Sequence, residues 1–201
     1  SEEDDYELIV VGEKGHHTPL TRFLIGPTAE RVASRARIPV LVVKGDPDDG
    51  VKPIRRILLA MAMRDRFSDV DRIVDRVARL AVPLGAKVTI LNVMSQMPIP
   101  PAGTPEDWEA SAAELIGHAT AEGQFLGYVL TRLADVGIEV DALVKHGLVV
   151  DEILAEAEAG SYDLLAIGGH EPGNWLSNLV LENVALQIVR RTRLPILTVH
   201  G

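Results

Sequence analysis

The sequence predicts an α/β fold built on a parallel sheet, and three observations carry that reading. Short β-branched apolar runs recur along the chain, several without polar alternation, as in strands buried on both faces. The segments between them place apolar residues three and four apart, the helical period. The two kinds of segment alternate, the order that sets helices on both faces of a parallel sheet. At 201 residues and 47% hydrophobic, the chain is long enough for one good core and short for two ordinary domains, so one domain plus an additional piece is expected.

The elements follow in chain order. ELIVV (7–11) reads as a strand, and GEKGHHTPLTRFLIGPT (12–28) as a glycine-punctuated loop entering a helix. That helix ends near Arg31, Arg35 and Arg37, before the strand PVLVV (39–43). The turn-rich KGDPDDGVKP (44–53) is a linker leading to the strand RILLAMAM (56–63). Val70, Ile73, Val74, Val77 and Leu80 mark a helix, and KVTILNVM (87–94) the next strand. The proline-rich MPIPPAGTPEDW (97–108) opens a long helix marked by Leu115, Ala119, Leu126, Leu130 and Leu133, with Gly117, Gly123 and Gly127 as bending points. IEVDALV (138–144) is a strand, Val150, Ile153, Leu154 and Ala157 mark a helix, and DLLAIG (163–168) is a strand. A last helix ends at Arg190, Arg191 and Arg193, ahead of the strand PILTV (195–199). Cations at a helix C-terminus are favoured by the dipole by roughly 0.3 to 1 kcal/mol, so both arginine clusters read as helix ends rather than anion sites.

Composition excludes several functions. The net charge of −9 argues against nucleic acid and anionic membrane surfaces, which select for clustered Lys and Arg. The absence of cysteine removes disulfides, thiolate metal sites and thiol catalysis. No apolar run approaches the roughly 18 to 20 residues of a membrane span, so no direct membrane insertion is expected. The acidic start SEEDDYE is unlike a signal peptide, and a cytoplasmic protein is expected.

An internal repeat organises the chain. Residues 5–45 overlay 161–201 without a gap, with Tyr6 on Tyr162, Gly12 on Gly168, Arg35 on Arg191, Pro39 on Pro195 and Gly45 on Gly201. Both copies read strand, glycine loop, helix, Arg-x-Arg-x-Pro, strand. In this pattern the sequence resembles the universal stress protein family, whose signature G-x2-G-x9-G-[ST] lies between strand 4 and helix 4 and precedes a Pro-Val-Leu-Val-Val type strand. The resemblance covers nearly the whole chain. It implies a five-stranded parallel sheet in the order 3-2-1-4-5, Rossmann-like and of the adenine nucleotide alpha hydrolase type, plus an N-terminal ββα-sized partial repeat. Residues 1–45 then form the partial repeat (strand 4, helix 4, strand 5), 46–53 the linker and 54–201 the complete domain. The chain reads as beginning mid-domain, as the tail of a first domain in a longer tandem, and Gly201 coincides with the end of the repeat.

The resemblance also implies a candidate nucleotide-phosphate loop at Gly12, Gly15, Gly26 and Thr28 in the first copy and at Gly168 and Asn183 in the second. Backbone N–H groups unobstructed by a Cβ, beside a helix N-terminus, would cradle anionic oxygens. In the first copy the spacer is one residue longer than the signature and Pro27 takes the hydroxyl position, with Thr28 next. In the second, Glu171 and Glu182 replace the later glycines and Asn183 the Ser or Thr, while Ala62 stands where the family's strand 1 aspartate is expected. A carboxylate 4 Å from a phosphate charge costs roughly 1 kcal/mol in water and about 4 at an effective dielectric of 20. The nucleotide-binding role is therefore expected to be weakened or lost in 54–201. No cofactor is required, and ATP is the one the resemblance allows.

Each candidate also has a plain structural role. Gly12 and Gly168 let a strand turn into a loop, and Thr28 suits a helix N-cap. Lys14, His16 and His17, like the pair His170 and Glu171, read as solvated loop residues rather than metal ligands. Trp108 and Trp175 read as packing or interface residues. The sequence shows no nucleophile with a base and no metal-ligand cluster, so no enzymatic activity is expected. A phosphorelay receiver would want an acidic pair where Ala62 and Met63 stand.

The expected function is a regulatory or stress-response module of the universal stress protein type, acting through dimerisation or partner contact. The alternatives are an adenine-nucleotide (ATP) binding member and the cytosolic regulatory domain of a membrane transporter. The partner is expected to be a homodimer mate or a tandem domain at the strand 5 edge. In particular, strand 40–43 is expected to pair antiparallel with strand 196–199 of the same or a neighbouring chain.

Overall fold

The structure is a computed structural model that describes residues 6–12, 26–36, 38–44, 50, 52–61, 67–94, 116–117, 121–169 and 179–200. In chain order its main elements are β1 (Ile9–Gly12), α1 (Pro27–Arg35), β2 (Val40–Val43), β3 (Arg56–Ala60), α2 (Phe67–Leu84) and β4 (Lys87–Met94). They continue with α3 (Ala121–Asp135), β5 (Val140–His146), α4 (Val149–Ala159), β6 (Leu164–Gly169), α5 (Leu179–Arg191) and β7 (Ile196–His200).

The expected five-stranded parallel sheet is corrected. The strands form one seven-stranded sheet in the order β1-β2-β7-β6-β3-β4-β5. It is mixed, because β2 and β7 are antiparallel while every other neighbouring pair is parallel. Strands β3 to β7 occupy the stretch β5-β4-β3-β6-β7, and β1 and β2 extend the sheet past β7. The physical reason is that β7 would otherwise be an apolar edge with unpaired backbone groups, which draws in a further strand. The chain supplies that strand itself: β2 pairs antiparallel with β7 within one chain, in the sense expected from the sequence.

Both copies of the repeat use the same register. Ile9 faces Val40 and Gly12 faces Val43 in the first, while their counterparts Leu165 and Gly168 face Ile196 and Val199 in the second. The matching bonds recur as well: the Ile9 amide donates to the Pro39 carbonyl at 2.9 Å, and the Leu165 amide to the Pro195 carbonyl at 3.0 Å.

The central strands are apolar because they are covered on both sides. Ile57, Leu58 and Leu59 are successive residues of β3 and are all fully buried. On one face, Ile57 and Leu59 join Val70, Ile73, Val74 and Val77 of α2 and Leu126, Val129 and Leu133 of α3. On the other, Leu58 and Ala60 join Ala29 and Ala33 of α1, Ile153 and Ala157 of α4, and Ile188 and Val189 of α5. Burying a side chain of this kind is worth about 1.5 to 3 kcal/mol, so these contiguous layers hold the sheet together. Gly85, at φ 57°, ends α2 in a conformation that other residues avoid.

The N-terminal unit docks through more than its strand. Ordering a residue costs roughly 1 to 2 kcal/mol of backbone entropy, a cost that two strands and a helix do not offset alone. Ala29, Ala33, Val40 and Val42 are buried against the second copy. The Lys44 ammonium reaches across to α5, donating to the Val189 carbonyl at 2.6 Å and the Thr192 carbonyl at 2.7 Å. These acceptors lie at the end of the helix, where carbonyls lack helical partners. Arg190 of α5 makes a two-bond pair with Glu30 of α1, at 2.6 and 3.1 Å. Within the second copy itself, Arg191 pairs with Asp151 of α4 at 3.0 Å.

Candidate functional site

In open α/β sheets ligands lie beyond the C-terminal ends of the strands, where the chain switches from one side of the sheet to the other. That point here is the β3–β6 junction, since the strands on either side of it lead outward in opposite directions. Met61 closes β3, its amide donating to the Leu91 carbonyl at 3.1 Å. Asn92, a polar residue 6% exposed within an apolar strand, approaches the Met61 carbonyl with its amide at 3.4 Å. At the end of β5, the Gly147 amide donates to the Met94 carbonyl at 3.1 Å. Gly147 has φ 153°, a backbone conformation that other residues rarely adopt, and a Cβ there would stand 2.6 Å from Glu152 Oε1, a flexible side-chain end that would have to swing aside. The enclosed Nε2 of neighbouring His146 has no hydrogen-bond partner among the described residues. Asn92, His146 and Gly147 were missed in the sequence reading; the signals were a lone polar residue in KVTILNVM and a His-Gly pair closing a strand.

Gly168 lies within β6, opposite Val199 of β7. A Cβ on Gly168 would stand 3.0 and 3.1 Å from Ile73 Cδ1 and Cγ2 and 3.5 Å from Met61 Cγ. The glycine is what lets α2 lie close on the strand. Gly12 is the last residue of β1, and a Cβ there would meet nothing within 4 Å. Neither glycine has the positive φ of a sharp left-handed turn.

Gly26 is the N-cap of α1, in an extended conformation with φ −64° and ψ 149°. Pro27 follows in the first turn, and the Glu30 amide returns to the Gly26 carbonyl at 3.1 Å. Thr28 is therefore inside the helix and exposed, which corrects its reading as an N-cap. Asn183 falls in the second turn of α5, and its side chain lies outside the described residues, as does that of Glu182. Lys14, Gly15, His16, His17, Ala62, Trp108, His170, Glu171 and Trp175 also lie outside them.

Among the described residues no cluster of three or more His, Cys, Asp or Glu stands in position to hold a metal ion. A small cavity of about 170 Å³ is lined by Ala81, Val82, Ala86, Lys87, Ile138 and Glu139. It opens at the N-terminal end of β4, away from the switch point, and falls below the roughly 300 to 1,000 Å³ of small-molecule sites.

The model of the universal stress protein family matches residues 1–44 and 53–200. The chain belongs to the universal stress protein family. Its fold is similar to that of a universal stress protein from Archaeoglobus fulgidus DSM 4304, with a TM-score of 0.60 and 18% identity over 98% of this chain and 61% of that one. A putative universal stress protein from Pseudomonas aeruginosa UCBPP-PA14 gives a TM-score of 0.62 at 16% identity, over 96% of this chain and 63% of that one. The chain thus spans less than two thirds of the length of these relatives. A universal stress protein in complex with cAMP aligns with a TM-score of 0.54 and 21% identity, over 74% of this chain and 99% of that one. No curated protein sequence matches this chain significantly. No helix among the described residues of this family member is long and apolar enough to cross a membrane.

Proposed function

We propose that the protein is a non-catalytic regulatory or stress-response module of the universal stress protein family, working through contact between domains or chains. In this reading 54–201 is the complete domain and 1–45 is the last part of another. The observation that carries the reading is the β2–β7 pair: the partial repeat spends its strand on the second copy's strand 5 edge, in place of a dimer mate or tandem domain. Adenine-nucleotide binding by 54–201 is weakened or lost. Gly168, the signature glycine kept by that copy, serves the packing of α2, while Glu171, Glu182 and Asn183 replace the groups that the family pattern would present to phosphate.

Titration calorimetry of the full chain with ATP tests the nucleotide half. The expected result is no binding tighter than about 1 mM, equivalent to roughly −4 kcal/mol, and a low-micromolar constant contradicts it. A second reading, adenine-nucleotide binding at the β3–β6 junction, draws support from the relative solved with cAMP. The same titration, repeated with cAMP, separates the two.

A further inference from the structure

Strand β5 is the sheet edge farthest from the repeat contact, and no strand lies on its outer side among the described residues. Natural edge strands are commonly kept short, bulged or interrupted by proline, because a long regular edge invites another strand. β5 has none of these devices. It runs seven residues, Val140–His146, without proline, and pairs with β4 in unbroken register from Val88 and Val140 to Met94 and His146. Its apolar residues Val140, Ala142, Leu143 and Val144 are all only half-buried, whereas Val88, Ile90 and Leu91 of β4 are fully buried. What the edge carries instead is one charge of each sign, Asp141 and Lys145, with side chains 61% and 41% exposed.

The backbone fixes how this edge meets a copy of itself. The Glu139 carbonyl accepts from the Val88 amide at 2.9 Å, and the Gly147 amide donates to the Met94 carbonyl at 3.1 Å. By strand alternation, Val140, Ala142, Val144 and His146 therefore turn their N–H and C=O groups away from β4. Antiparallel pairing of the full strand with itself is centred on Leu143. It sets Val140 opposite His146 and Ala142 opposite Val144, and each such pair exchanges two hydrogen bonds. The same register sets Leu143 against Leu143 and Asp141 against Lys145 at the closer, non-hydrogen-bonded positions, where opposite charges attract. Within its own chain Asp141 meets Lys87 at 2.7 Å and Lys145 meets Glu156 of α4 at 3.3 Å. Joining two copies links these pairs into a row of alternating sign, Lys87, Asp141, Lys145, Glu156.

We infer that the chain forms a two-fold homodimer by antiparallel pairing of β5 with β5, centred on Leu143 and held by reciprocal Asp141–Lys145 pairs. The occupant is a second copy because the edge is complementary to itself in both hydrogen bonds and charge, as an isologous interface requires. The contact goes beyond the proposed function: it lies at the opposite edge from β2, and neither nucleotide affinity nor the β2–β7 pair enters it.

Sedimentation velocity of the full chain at concentrations up to about 0.1 mM is expected to show the dimer. Asp141→Lys and Lys145→Glu, each alone, are expected to weaken it at least about tenfold, because each sets like charges opposite one another. Mixing the two variants is expected to restore a dimer, since both cross-chain pairs are then of opposite sign. The chain has no cysteine, so introduced thiols report position. Leu143→Cys is expected to form an interchain disulfide on mild oxidation, because facing Cα atoms about 4.5 Å apart are within disulfide reach. Ala142→Cys is not, since its copy lies beyond the roughly 7 Å limit. A monomeric full chain, a dimer that neither charge variant weakens, a mixture that stays monomeric, or equal cross-linking at 142 and 143 overturns the inference. Should a charge variant fail to fold, the two cysteine variants decide it alone.

Discussion

Leu41 and Leu197 face each other across the antiparallel pair of β2 and β7, and each is the other's counterpart in the internal repeat. On either side of them Val40 faces Thr198 and Val42 faces Ile196, so the pairing is symmetric about the two leucines. A local two-fold relation therefore passes through one residue pair, and helices α1 and α5 lie on the same face beside it. A single chain thereby builds the contact that two separate copies would make in an isologous interface.

The Lys44 ammonium ties the end of β2 to the C-terminal turn of α5 across this contact. Replacing it by Ala should lower unfolding stability by about 1 to 2 kcal/mol, since two charge-assisted bonds to half-buried carbonyls are lost. Lys44→Met, which keeps the aliphatic stem, should lose nearly as much. Urea unfolding midpoints measure both, and an unchanged midpoint for Lys44→Met would show that the stem, not the ammonium, matters.

The two signature glycines should respond differently to the same substitution. Gly168→Ala brings a methyl to 3.0 Å from Ile73 Cδ1, an overpacking that costs about 1 to 2 kcal/mol. Gly12→Ala meets open space and should stay within about 0.5 kcal/mol of the parent. Ile73→Val removes the Cδ1 methyl and should reduce the cost at Gly168 in a double-mutant cycle. Equal effects at the two glycines would refute the packing role.

The α2–α3 contact carries an acid-sensitive group. Asp71 is held below the ordinary carboxylate range, first by the Tyr128 hydroxyl at 2.6 Å and then, against a modest burial penalty, by Arg132 at 3.0 Å. A depressed folded-state value stabilises the fold above the unfolded value near 3.9, and that contribution is lost as pH falls through the folded value. Tyr128→Phe should move the Asp71 carboxyl titration upward and the acid limb of the melting curve to higher pH. Carboxyl-carbon NMR reads the first; no upward movement would contradict the assignment.

The strands were legible in the sequence because they are runs buried on both faces: KVTILNVM matches β4 residue for residue, Lys87–Met94. The antiparallel β2–β7 pair was legible because the repeat put two copies of one apolar edge strand in a single chain. Whether β2 meets β7 of its own chain or of a neighbour was not, since the family pattern speaks of one five-stranded domain and the repeat alone does not say which chain supplies the edge. Gly168 read as a loop glycine because its reason for being glycine, the Ile73 side chain, comes from a helix nearly a hundred residues earlier. His146 and Asn92 were hidden because single polar residues at strand ends carry no spacing signal, and only the fold brings those ends together.

The N-terminal repeat closes the β7 edge through β2. Sedimentation velocity and thermal unfolding of residues 51–201 beside the full chain test it most directly. Removing residues 1–50 should lower the melting temperature or drive concentration-dependent self-association through the bared β7 edge, and Leu197→Lys should suppress that association. A remainder that is strictly monomeric and as stable as the full chain would contradict it.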